Sequence, residues 1–353
     1  MKYDIAVGTY TDGSDSRGIY LYTLQADGRA KLDDVAGESS NPSYLAYCAK
    51  TGCLYAANER SDGSALCAYR LDGERDKLTH LNTLPLAGAG MCHVSVSRDG
   101  RFAVAAHYLS GSAVSVSLGR DGSIARLQSD HQHHGKGPNE LRQEHEHVHS
   151  LTFSPDERFV YAADLGTDEL KCYRPGPDGV LTPCPDLDVH TAPGEGPRHL
   201  AFHPSGRWAY LVTELKNHVI VYDFDAASGA LCEKQKLSTL PPDYQGENLA
   251  ADLAISRDGR FLYASNRGHN SIACYQIDEK DGTLTIGQHS SCYGDWPRSI
   301  CLAGEDRFLL IANQQSDEVA VCARDAASGA LIAPLCRLAI PQAVCVKEIC
   351  LPD

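Results

Sequence analysis

Residues 196–224 read GPRHLAFHPSGRWAYLVTELKNHVIVYDF. Apolar residues over Leu200–His203, Trp208–Val212 and Val219–Tyr222 predict three strands, with a tight turn at Pro204–Gly206 and a polar loop between the second and third. Variants of this pattern recur along the chain. Aligned on the first residue after the turn, they anchor at Cys53, Phe102, Phe159, Trp208, Phe261 and Phe308, with gaps of 49, 57, 49, 53 and 47 residues. Self-similarity at this period marks a repeat architecture.

Each anchor follows a hairpin turn, as in RDGRFAV, PDERFVY, PSGRWAY and RDGRFLY, whose Asp, Gly and Ser supply the backbone angles a tight turn needs. A fourth strand is predicted after a second turn, at Asp121-Gly122, Asp178-Gly179, Ser228-Gly229, Asp281-Gly282 and Ser328-Gly329. Four short antiparallel strands per repeat is the pattern of a β-propeller blade. Six copies are complete. Residues 5–32 hold only outer-strand material, and Gln342–Val346 reads as an innermost strand alone. The expectation is therefore an all-β, seven-bladed propeller closed by N- and C-terminal strands in one blade, with residues 1–353 as a single domain. Ser129–Glu146 breaks the period and, being strongly polar, is expected to be a long loop.

Bulk properties narrow the function. A net charge of −14 argues against nucleic acid or an anionic membrane as partner, although a small anion answers to a local patch. No apolar run approaches a bilayer span and the first residues lack a signal-peptide core, so a cytoplasmic protein is expected, monomeric or weakly homo-oligomeric. None of the fourteen cysteines has C-x-x-C spacing. Cys67, Cys172, Cys274 and Cys322 recur on the third strand and read as small buried hydrophobes.

Hairpin geometry places two positions of each repeat at the channel mouth: the start of the first strand and the end of the second. Ten residues before each anchor stand Ser43, Cys92, His149, Arg198, Ala251 and Arg298; six after stand Glu59, Tyr108, Leu165, Glu214, Arg267 and Gln314. One such Arg, Glu or His is usually a surface or structural group. His149, Arg198, Arg298, Glu214, Arg267 and Gln314 converging on one rim suit an anion-handling site. The cluster His131, His133, His134, His145, His147 and His149 puts His147 and His149 on one side of a strand. No carboxylate stands at diagnostic spacing, so neither a metal nor any cofactor is expected.

The chain also resembles the seven-bladed propeller lactonase family, which includes propeller-type 6-phosphogluconolactonase and the fungal carboxy-muconate lactonizing enzyme. The resemblance rests on GPNELRQEHEHVHSLTFSPDERFVYAADLGTD (137–168), GPRHLAFHPSGRWAYLVTEL (196–215), SNRGHNSI (265–272), WPRSICL (296–302), LLIANQQSD (309–317) and PQAVCVK (341–347). It implies that His149, Arg198, Glu214 and Arg267 match the family's active-site set, that Arg142 and Gln143 belong to a family loop motif, and that Gln314 matches a recurrent glutamine. The stretch Glu144-His145-Glu146 departs from relatives that carry Pro there, and Ser299 replaces a frequent His. The implied reaction is hydrolysis of a small anionic lactone, 6-phosphoglucono-1,5-lactone, in the pentose phosphate pathway. Glu214 or His149 would be the general base and Arg198 or Arg267 the oxyanion partner. The remaining arginines, Arg142 and Arg298 among them, with His147, Gln143 and Gln314, would bind the rest of the substrate. The alternatives are muconate lactonization on the same ring and a non-enzymatic binding propeller.

Overall fold

The repeated Arg-aromatic-x-Tyr of the second strand explains how neighbouring units are held. In the computed structural model, which describes residues 1–72 and 76–349, each unit is a twisted antiparallel sheet, and seven such sheets form a ring. The second strands begin at Cys53, Phe102, Trp208, Phe261 and Phe308, on the anchors themselves, and at Val160, one residue past Phe159. Tyrosines two residues past the anchors reach into the next sheet: Tyr55, Tyr161, Tyr210 and Tyr263 donate to the backbone carbonyls of Gly122, Gly229, Gly282 and Gly329 at 2.8, 2.5, 2.9 and 2.8 Å. The preceding arginines donate to carbonyls of the same outer turns, for example Arg207 to Glu279 and Arg260 to Ala327. The anchor aromatic lies flat against the turn glycine, so a Cβ on Gly282 would sit 2.2 Å from the Trp208 ring.

The hydrophobic core is correspondingly divided. Seven buried clusters each fill the cleft between two adjacent sheets, such as Phe159, Tyr161, Leu211 and Tyr222 in one and Trp208, Tyr210, Leu262 and Tyr275 in the next. The ring closes as expected: Ala343–Ile349 is the innermost strand of the sheet that continues through Lys2–Thr9, Ile19–Gln25 and Ala30–Ala36. Val346 lies opposite Val7, and Cys345 opposite Gly8.

Two local expectations are corrected. Ser129–Gln132 is not loop but the end of the strand Ile124–Gln132, because an outermost strand faces water and tolerates polar residues. The outer edge of the sheet containing Val148–Phe153 is split into Leu181–Pro183 and Val189–His190 around a short 3-10 turn, where Pro183 and Pro185 have no N–H to offer a ladder. The thirteen described cysteines are all unpaired, and Cys67, Cys172, Cys274 and Cys322 are buried.

Gly282→Ala tests the latch between sheets. Its φ of +75° and the Trp208 contact predict a loss of about 2–5 kcal/mol. Tyr210→Phe, which removes one hydrogen bond, should cost about 1 kcal/mol. Chemical denaturation measures both, and equal losses would refute the packing account.

Candidate active site

Every innermost strand slips register once. The breaks fall between Pro42 and Tyr44, Met91 and His93, Val148 and Ser150, Pro197 and His199, Ala250 and Leu253, and Pro297 and Ser299. The bypassed residues include Ser43, Cys92, His149, Arg198, Ala251 and Arg298, the set found ten residues before the anchors. In the closing sheet the bypassed residue is Val344. A bulged residue leaves the ladder and its side chain is re-aimed. Here the new direction is the ring axis, where Ser43, Cys92, His149, Arg198, Arg298 and Val344 pinch the channel to a waist with a cavity of ≈ 10 Å³. That is room for one water at most.

Above the waist lies a chamber of ≈ 270 Å³. Cys92, His149 and Arg298 form part of its floor, and Tyr10, Glu59, Tyr108, Arg142, Glu214 and Arg267 its walls. A basin of ≈ 530 Å³ opens on the opposite face, with Lys347 and His203 in its lining. Both His203 ring nitrogens are spent, on Ser205 and on the Gly259 carbonyl, so that basin offers no free imidazole. The acid–base groups converge in the smaller chamber.

Glu214 is the electrostatic centre. It is 2 % exposed and its carboxylate meets three guanidiniums: Arg198 Nε at 2.9 Å and Arg267 Nη2 at 2.7 Å on Oε2, and Arg142 on Oε1. Burial would raise its pKa, but the charges of Arg267, Arg198 and Arg142 reverse this and hold the carboxyl well below the usual range. Arg198 also donates to the Ala251 carbonyl at 2.5 Å, and Arg267 to those of Leu249 and Ala250 at 3.2 and 3.3 Å. Across the chamber, Arg298 donates to Tyr10 Oη at 2.8 Å, and Tyr10 donates in turn to Glu59 at 2.8 Å. Four guanidiniums thus face two carboxylates, and an acidic protein carries a cationic pocket.

His149 is 5 % exposed, and its Nδ1 is buried without a hydrogen-bond partner. Burial, then the charges of Arg198, His199, Arg298 and Arg267, push its pKa far below the ordinary histidine value, so the ring is neutral. Cys92 is no nucleophile: burial raises its thiol pKa, and Sγ lies 3.2 Å from the His149 backbone carbonyl as a donor.

The remaining expected site residues stand elsewhere. Gln143 is fully buried, and its amide is used on the Leu165 carbonyl and the Asp168 carboxylate at 2.8 Å each, which pins the loop that carries Arg142. His147 stacks on the outer side of Tyr108, with ring centroids 4.4 Å apart, rather than facing the chamber. Gln314 bonds Gln342 at 3.1 Å and is absent from the chamber wall. Ser299 lines the waist. Glu59 and Tyr108 occupy mouth positions read from the spacing but were not singled out for the site, and Tyr10 was not expected there. Each directly follows a second strand, as Glu214 does; for Tyr10 that strand is Lys2–Thr9, so the same spacing in the closing blade would have found it.

Glu214→Gln should cost about 3–5 kcal/mol of stability near neutrality, because it leaves three guanidiniums uncompensated. The folded pKa lies below the unfolded value, so this stabilisation is present above about pH 4.5 and is lost as pH falls toward the folded pKa. Denaturation from about pH 7 to pH 2 should show the wild-type advantage shrinking with acid. A constant gap would mean that Glu214 is not ionised.

The family model "Lactonase, 7-bladed beta-propeller" matches residues 4–348. The chain is 36% identical to the 6-phosphogluconolactonase of Bacillus subtilis, covering 98% of each chain, and 34% identical to that of Pectobacterium carotovorum, covering 94% and 95%. The periplasmic gluconolactonase of Pseudomonas aeruginosa superimposes with a TM-score of 0.94 at 33% identity over the whole of both chains. A ring of seven four-stranded blades with a cationic chamber at one mouth is what this match covers, and the chain belongs to the seven-bladed β-propeller lactonase family.

Proposed function

We propose that this enzyme hydrolyses a sugar δ-lactone, with 6-phosphoglucono-1,5-lactone as its substrate. The observation that carries the proposal is a neutral, largely buried imidazole facing a sugar-sized cavity rimmed by guanidiniums. Lactone hydrolysis needs a base for water, a partner for the oxyanion and an anchor for the remainder of the substrate. His149 is the base. Glu214, already gripped by three cations, is a far poorer proton acceptor and instead positions Arg142 and Arg267. His149 takes a proton from water as the oxygen attacks the lactone carbonyl. Arg267 receives the charge that builds on the carbonyl oxygen. The ring C–O bond then breaks, the departing oxygen takes the proton from the imidazolium, and a hydroxy acid results.

Arg298 in the chamber floor and Arg142 in its wall suit the paired oxygens of a phosphate. Arg198 lies at the waist, spent on Glu214 and Ala251, and acts by holding Glu214. A bound phosphate offsets the cationic field on His149, which favours the imidazolium that must form. The names of the Bacillus and Pectobacterium relatives support the phosphorylated substrate, and the thirteen unpaired cysteines suit work in the reducing cytoplasm as one single-domain ring.

His149→Gln and Arg267→Gln should each lower kcat on the order of 10²-fold on 6-phosphogluconolactone. Arg298→Ala should raise KM for the phosphorylated lactone more than for gluconolactone itself. Wild-type turnover in the His149 and Arg267 variants, or activity on muconates in place of lactones, would overturn the assignment. The depressed His149 pKa also predicts that kcat/KM of the free enzyme holds as pH falls through 6.5 and declines only well below it. A half-loss at 6.5 would remove His149 as the base.

A further inference from the structure

The loop that brings Arg142 to Glu214 continues as Glu144-His145-Glu146-His147, and its outer side presents three ligand-type side chains at one point. Glu144, His145 and His147 offer donor atoms that all lie within 4.8 Å of one another. Glu144 Oε1 stands 3.4 Å from His147 Nε2 and 3.7 Å from His145 Nε2. In a tetrahedral zinc site with bonds of about 2.0–2.2 Å, ligand atoms are about 3.3–3.6 Å apart. One edge of the triangle already has that length, and a second barely exceeds it.

The two imidazoles are held in the form a metal requires. His147 Nδ1 donates to the Tyr108 carbonyl at 2.9 Å, and His145 Nδ1 donates to the Glu146 carbonyl at 2.7 Å. With the proton on Nδ1, each ring turns its Nε2 lone pair toward Glu144. Such backbone-anchored orientation is the usual outer shell of metal-bound histidine. His147 is 3 % exposed, and its Nε2 is buried without a hydrogen-bond partner, an arrangement that costs stability unless something fills it. The site opens to solvent through Glu144 and His145, which are roughly half exposed. The loop stretch Glu144-His145-Glu146 thus provides two of the three ligands.

We infer that Glu144, His145 and His147 form a site for a divalent zinc-type cation, completed by water, that clamps the Arg142 loop against Tyr108. Two nitrogens and one carboxylate oxygen suit Zn²⁺ over the all-oxygen preference of Mg²⁺ or Ca²⁺. None of the three ligands lines the chamber, so the cation acts on the loop and not on the reacting carbonyl. The inference stands whether or not a phosphorylated lactone is the substrate. It replaces the expectation of no metal, which followed from weighing His147 and His149 as the ligand pair. The bulge at His149 sends that ring to the axis and leaves His147 outside.

The test uses the full-length protein, stripped with chelator and crystallised with Zn²⁺, with anomalous diffraction collected above and below the zinc edge. A peak between Glu144, His145 and His147 is expected. In solution, calorimetric titration with Zn²⁺ should show a site whose affinity falls by more than about 100-fold in His145→Ala and in Glu144→Gln, beyond the loss typical of an outer-shell change. Zn²⁺ should also slow amide exchange over residues 139–148 in the wild type only. No anomalous peak at these three residues, or zinc binding and exchange that are unchanged in both variants, would overturn the inference. Both residues are exposed, so neither variant puts folding at risk.

Discussion

The extra residue in each innermost strand is the constraint on which the chamber depends. A regular ladder alternates side chains between the two faces of a sheet, and in a propeller both faces are buried against neighbouring blades. No side chain of a regular innermost strand would then reach the axis. The slip at Ser43, Cys92, His149, Arg198, Ala251 and Arg298 frees one side chain per blade from that alternation. The clefts between blades can therefore be packed for stability while the axis is furnished for chemistry. The Arg-aromatic-x-Tyr latch belongs to the first task and the bulge residues to the second.

Charge is arranged by the same division. The molecule is acidic overall, yet its chamber and waist together gather four arginines. Packed together without compensation they would repel one another in a poorly screened interior. Glu214 offsets three of them and Glu59, through Tyr10, the fourth. What remains is a modest positive excess on rigid supports, which adds to burial in keeping His149 neutral.

The ring, its closure and the mouth positions were legible in the sequence because they follow from repetition. A fixed spacing carries the same meaning in each copy, so Arg198, Glu214 and Arg267 could be located from Trp208 and Phe261. What was not legible departs from repetition or depends on direction. Gln143 and His147 lie in an inserted loop whose path no repeat dictates, and Gln314 occupies a mouth position but turns toward Gln342. Tyr10 was hidden because its blade is assembled from both ends of the chain. The strand through Gln132 was missed because polarity marks a loop in a buried layer but not at a wet edge. Nor could spacing show that three guanidiniums reach the one Glu214 carboxylate.

The waist has a consequence for traffic through the molecule. At ≈ 10 Å³ it holds one water at most, although chamber and basin lie on its two sides. The reaction vessel is therefore a blind cup. A ligand larger than the waist enters and leaves the chamber by the same door.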